Sequence, residues 1–97
     1  MTFNFSEFKN KKIIVTGSST GIGFETGVEF LNLGANVIFH GNQSINDLEA
    51  RIKTKSQSKN FKLFKSDFTD LSQVDNFMND AISYLDGLDL LVNNAGT

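Results

Sequence analysis

The sequence predicts an α/β fold: a doubly wound parallel sheet with helices on both faces, stopping after its fourth strand. Three observations predict it. Short β-branched or alternating apolar runs take turns with helical apolar spacing along the whole chain. Glycines mark the places where one period gives way to the other, at Gly17, Gly34 and Gly87. The 97 residues suit one small domain, and no repeat or linker divides them.

The elements follow in order. Lys12–Thr16 (KIIVT) is a buried strand bounded by charge and glycine. From Ile22 the period changes, with Ile22, Val28, Leu31 and Leu33 at helical spacing and Gly34 as the C′ residue. Gly27 inside that helix costs about 1 kcal/mol relative to alanine, which a close approach of helix to sheet would offset. Asn36–His40 (NVIFH) is the second strand. Ser44, with Asp47 three residues on, reads as an N-cap before Leu48 and Ile52. Phe61–Ser66 (FKLFKS) alternates as a third strand. Leu71, Val74, Phe77, Met78, Ala81, Ile82 and Leu85 recur at steps of three and four, behind Asp70 as a cap. Asp89–Asn93 (DLLVN) is the fourth strand. Parallel strands joined by right-handed helical crossovers are the simplest arrangement of that order.

Composition excludes several function classes. The net charge is −2, which argues against a basic nucleic-acid surface. No apolar run reaches the roughly 18 residues of a spanning helix, and the N-terminus lacks the basic-then-apolar order of a signal peptide. Cysteine is absent and there is one histidine, so neither a disulfide framework nor a zinc site is expected, and no metal site is assigned. These features point to the cytoplasm.

TGSSTGIG, Thr16–Gly23, lies between the first strand and first helix. A helix start leaves N–H groups unpaired and carries partial positive charge, and glycines let a phosphate come close. Ser18, Ser19 and Thr20 add hydroxyl donors. The bland alternative is a tight turn whose glycines serve packing alone. The glycine gaps fit neither G-x-G-x-x-G nor a P-loop.

TGSSTGIG resembles the T-G-x-x-x-G-x-G loop of the short-chain dehydrogenase/reductase family. NNAG at Asn93–Gly96, approached through DLLV, resembles that family's second motif, and Asp67 in KSDFTD its acidic residue after the third strand. The resemblance runs from about Lys11 to Gly96 and implies that residues 1–97 are the N-terminal portion of one NAD(P)-binding Rossmann-like domain. It implies that Gly17, Ser18, Ser19, Thr20, Gly21, Ile22 and Gly23 line the pyrophosphate and adjacent ribose of a nicotinamide dinucleotide. Asp67 would then hold the adenine amino group with Phe68 beside it, and Asn93, Ala95 and Gly96 would border the cofactor ribose. Asn93 fits equally well as a tie between strands, and Asn94 is a weaker candidate of the same kind. Helix capping is the alternative for Asp67.

By the family pattern, an acidic residue at the end of the second strand accepts the ribose 2′-OH of NAD. Gly41 stands there, and no carboxylate follows until Asp47. The arginine that often receives the 2′-phosphate is replaced by Asn42, and Thr20 is not basic; Asn42, Gln43 and Ser44 offer neutral donors. The balance favours NADP over NAD. His40 reads as exposed or packed.

The family's chemistry is hydride transfer between nicotinamide and a carbonyl or alcohol carbon, with a serine and a Tyr-x-x-x-Lys pair beyond the fourth strand. This sequence holds no such constellation. Its one tyrosine, Tyr84, has Leu88 four residues on and reads as a partly exposed packing residue. No catalytic residue is assigned. The chain therefore reads as the dinucleotide-binding half of a reductase for a small carbonyl or alcohol. The alternative is a non-catalytic nucleotide-binding or oligomerising truncated product. A receiver-like signalling domain fits less well, because only Asp67 offers an acid at a strand end. A fourth strand left as a sheet edge, and ten phenylalanines, predict exposed apolar surface and a homo-oligomer.

Overall fold

The computed structural model describes residues 7–42 and 47–94. Its elements are β1 (Lys12–Val15), α1 (Gly21–Asn32), β2 (Asn36–Gly41), α2 (Leu48–Lys55), β3 (Phe61–Lys65), α3 (Leu71–Leu85) and β4 (Leu90–Val92). The strands form one parallel sheet in the order β3-β2-β1-β4. The doubly wound α/β architecture is therefore observed. Ser44 lies outside the described residues, and Asp47 directly precedes α2.

Strand alternation sorts the core into two layers. Ile13, Val15, Val37 and Phe39 point to the face covered by α1 and α2, where they meet Phe24, Val28, Leu31, Leu48 and Ile52. Ile14 and Ile38 point to the other face, against Phe77, Ala81 and Leu85 of α3. Both faces are covered, which is why β1 and β2 read as unbroken apolar runs.

Each helix ends as its local chemistry dictates. Gly34, at φ +92°, follows the last turn of α1, and the Ala35 N–H donates back to the Phe30 carbonyl at 3.1 Å. The Asp70 carboxylate caps α3, accepting from the Ser72 N–H at 3.0 Å. At the start of the sheet, Lys12 and Asp89 bind reciprocally: the Lys12 N–H donates to Asp89 Oδ2, and the Asp89 N–H to the Lys12 carbonyl, both at 2.8 Å.

Two apolar residues leave the core their spacing suggested. Ile22 is 79% exposed and Leu71 is 81% exposed. Ile22 lies about 240° around the helix from Val28, off the stripe Phe24, Gly27, Val28 and Leu31 that α1 buries. Leu71 opens α3 in the capped turn. None of the described phenylalanines is exposed; the open apolar surface belongs instead to Ile22, Leu71, Tyr84, Leu88, Leu90 and Leu91.

Gly27 is where α1 lies closest to β2. A Cβ there would run into the Phe39 ring, whose Cζ would stand 2.8 Å away. Phe39 is fully buried and has no room to move aside. Gly27→Ala is therefore expected to destabilise the chain by about 1–3 kcal/mol despite its better helix propensity, read as a lower midpoint in urea unfolding.

Candidate functional site

An open cavity of about 430 Å³ lies at the C-terminal ends of the four strands. Gly17, Ser19 and Thr20 line it from the loop after β1, and His40, Gly41 and Asn42 from the end of β2. Asp67, Phe68 and Thr69 line it from the loop after β3, and Asn94 from behind β4. The strand order reverses between β1 and β4, and in open α/β sheets the crevice at that switch is where ligands bind.

The N-terminus of α1 opens beside this cavity. Thr20 is its N-cap residue in extended conformation, and its side chain makes no capping hydrogen bond. In α3 the equivalent groups are closed by Asp70. The uncapped N–H groups of α1 thus present partial positive charge next to the cavity.

The loop itself is held from outside. The Gly17 N–H donates to His40 Nδ1 at 2.9 Å, and the Gly17 carbonyl accepts from Asn94 Nδ2 at 3.0 Å. The Asn94 N–H donates to the Thr16 hydroxyl at 3.0 Å. A Cβ on Gly23 would meet the Gly17 carbonyl and lie 2.6 Å from Asn94 Nδ2, so this glycine is required by the packing of the loop on its own helix. Gly21 has open space around it but sits at φ +62°, where other residues are strained.

Ser18 departs from its expected role as a donor toward a ligand. It is fully buried and does not line the cavity. Its hydroxyl donates to the Val15 carbonyl and accepts from the His40 N–H, both at 2.7 Å. Its own N–H donates to the His40 carbonyl at 2.8 Å. Ser18 is thus a stitch between the loop and β2. Ile22 also stands apart from the cavity, exposed on α1.

His40 is a packed residue with two polar duties. Its ring stacks on Phe68 at 4.0 Å between centroids and lies 4.9 Å from Phe77. Because the Gly17 N–H donates to Nδ1, that nitrogen is bare, and the proton sits on Nε2, which donates to the Ser66 carbonyl at 2.9 Å. Burial holds the imidazole below its ordinary pKa, against a smaller upward pull from the Ser66 carbonyl.

Asp67 is exposed and turned upon its own loop. Its Oδ1 accepts from the Thr69 hydroxyl at 2.7 Å and the Thr69 N–H at 3.0 Å, and these bonds hold the carboxyl below its usual range. The alternative of helix capping does not apply, since Asp70 caps α3. Asn93 joins the strands through the Thr16 hydroxyl, 3.3 Å from its Oδ1, and does not line the cavity; Asn94 does. Ala95, Gly96, Gln43 and Ser44 lie outside the described residues. Arg51 carried no signal in the sequence, yet its Nη2 donates to the Ser19 carbonyl at 2.7 Å.

Residues 11–97 match the family model described as short chain dehydrogenase. The chain belongs to the short-chain dehydrogenase family. It is 33% identical over 90 residues to a glucose 1-dehydrogenase of Gluconobacter oxydans, covering 92% of this chain and 34% of that protein. It is 28% identical over 88 residues to a fatty acyl-CoA reductase of Acinetobacter baylyi, covering 91% of this chain and 30% of that one. Its fold superposes on the NADH-dependent reductase A1-R′ complexed with NAD, with a TM-score of 0.83 and 30% identity. That match covers 97% of this chain and 39% of the reductase. This short-chain dehydrogenase chain thus spans about a third of the length of the relatives it matches. Among its described residues, no helix is long and apolar enough to cross a membrane.

Two outcomes follow from the loop's supports. Ser18→Ala leaves the His40 N–H without its partner and is expected to cost about 1–3 kcal/mol in an unfolding titration. His40 is neutral when folded, with its pKa lowered from 6.5. The stability it contributes is therefore complete above about pH 6.5 and is lost as the pH falls below that value toward the folded pKa. Asp67 and Asp70, also lowered, act only once the pH falls into the ordinary carboxylate range and beneath it, well under the His40 window. The melting temperature should fall as the pH drops below about 6.5, and His40→Gln should flatten that slope.

Proposed function

We propose that this chain forms the dinucleotide-holding half of a short-chain dehydrogenase/reductase oxidoreductase and prefers NADP(H) to NAD(H). The observation that carries the reading is the uncapped start of α1 opening on a cavity at the sheet's switch point. In the proposed complex the pyrophosphate rests on the first turn of α1, between Gly17 and Gly23. Asp67 and Phe68 border the adenine, and Asn94, with Asn93, Ala95 and Gly96 around it, borders the ribose nearer the nicotinamide. Of the residues named earlier for this role, Ser18 acts through the loop's shape and not through its hydroxyl.

The cofactor preference rests on the end of β2. Gly41 and Asn42 line the cavity there, and the only carboxylate among its lining residues is Asp67, on the next loop. A 2′-phosphate meets no repulsion at Gly41, and a 2′-OH finds no acid to bind. The A1-R′ reductase is NADH-dependent, so the fold alone does not set the choice.

The chemistry proposed for the whole enzyme is hydride exchange with a small carbonyl or alcohol. The nicotinamide supplies the hydride when bound; the residues described here position it. Tyr84, whose ring faces Lys62 Nζ at 5.6 Å from the centroid, does not line the cavity. A non-catalytic, nucleotide-binding product shares every feature of this site and predicts binding without turnover. The β4 edge, with Leu90 38% and Leu91 43% exposed, supports pairing with a second copy.

Calorimetric titration is expected to show NADPH binding more tightly than NADH, and a clear NADH preference overturns the cofactor assignment. Gly41→Asp is expected to reverse the order by placing a carboxylate against the 2′ position. Size-exclusion chromatography should give a mass above that of the monomer, and Leu91→Lys should lower it.

A further inference from the structure

We infer that Arg51, near the start of α2, is the cation that receives the 2′-phosphate, and so decides between the two dinucleotides. This rests on the reading of the cavity as a nucleotide site with an NADP preference. The cavity wall nearest the 2′ position is neutral: Ser19, Thr20, Gly41 and Asn42 carry no charge. Arg51 stands one residue behind that wall. Its Nη2 holds the carbonyl of Ser19, and its guanidinium carbon lies 5.1 Å from the centroid of the Phe24 ring. Loop carbonyl and ring face together fix the fork in place while the side chain stays 40% exposed.

The fork has donors to spare. A guanidinium carries five N–H groups in one plane, and its shape matches two oxygens of a phosphate. The Nε atom is buried and, among the described residues, has no hydrogen-bond partner; the donors left for an incoming phosphate are those on Nη1 and the second on Nη2. The one charge set against it among the described residues is Asp47, whose Oδ2 lies 3.7 Å from Nε and whose side chain is 79% exposed. An exposed pair of this kind is weak and gives way to a doubly charged phosphate. A 2′-OH draws no comparable gain from Arg51, so its charge separates the cofactors while its bond to Ser19 serves both.

The test uses two probes that differ only in the group at issue: adenosine 2′,5′-bisphosphate and 5′-AMP, each titrated against the 97-residue chain. The chain is expected to bind the bisphosphate more tightly. Arg51→Gln should cut that advantage, the ratio of the two affinities, by about tenfold to a hundredfold, the range of one or two charge-assisted hydrogen bonds, over and above any loss the two probes share through Ser19. Asp47→Asn, on the open surface, should raise bisphosphate affinity about twofold to fivefold by removing the competing carboxylate. Parallel loss of both probes in Arg51→Gln would mean that the arginine only props up Ser19, and the inference falls. It falls alone, too, if the bisphosphate preference survives in that variant. A parent chain that binds both probes equally overturns the NADP reading itself, and the Arg51 assignment with it. Should Arg51→Gln fail to fold, Asp47→Asn decides, and an unchanged bisphosphate affinity there overturns the inference.

Discussion

A backbone amide left open for an anion, as the proposed function requires, cannot also hold its own loop, and the loop's supports answer to that constraint. The side chain of Thr20 makes no capping bond to the first turn of α1, which starts directly behind the cavity wall formed by Ser19 and Thr20. Rigidity must then come from elsewhere. It comes from His40 on β2, Asn94 behind β4 and Arg51 on α2, which grip the loop at Gly17 and Ser19. Ser18 is the loop's own contribution, turned inward to bind β2 on both sides of the chain. The free amides are thus a tertiary product, maintained by groups far away in sequence.

The two core layers take part in this support unequally. The layer under α1 and α2 sets the depth of the helix, through Gly27 on the Phe39 ring. The layer under α3 reaches the loop by another route. Phe77 belongs to that layer and Phe68 packs against it, and both rings lie against His40, whose imidazole meets the Gly17 amide. Apolar packing on one side of the sheet therefore fixes a polar contact at its edge. Stacking excludes water from the imidazole, and the same exclusion keeps it neutral and able to accept.

Strand and helix order was legible because both faces of the sheet are covered, which leaves plain apolar runs in β1 and β2 and a clear helical period in α3. The glycine spacing placed the loop, and Asp70 announced the start of α3. The details within the loop were not legible. Ser18 and Ser19 are adjacent and chemically identical, and only the approach of β2 turns one inward and leaves the other on the cavity. His40 looked like a lone histidine, since its partners Gly17 and Ser66 are 23 and 26 residues away. Arg51 was invisible for the same reason, joined to Ser19 across 32 residues. Ile22 is apolar and helical, as its spacing indicates, but falls off the buried stripe. Period and spacing report local geometry; they carry no information about which strand end arrives beside which side chain.

The span of the β1–β4 pairing also orders events in time. Lys12 meets Asn36 when only the first crossover has been made, but it meets Asp89 across 77 residues. A nascent chain emerging from the ribosome can thus assemble β1 and β2 well before Asn94 exists to close the last wall of the cavity. In the interval β1 lies at a sheet margin with unsatisfied hydrogen-bonding groups, a template for whatever strand comes first. The cavity is therefore complete only after β4 has paired with β1, and until then the β1 margin stays open to misplaced strands.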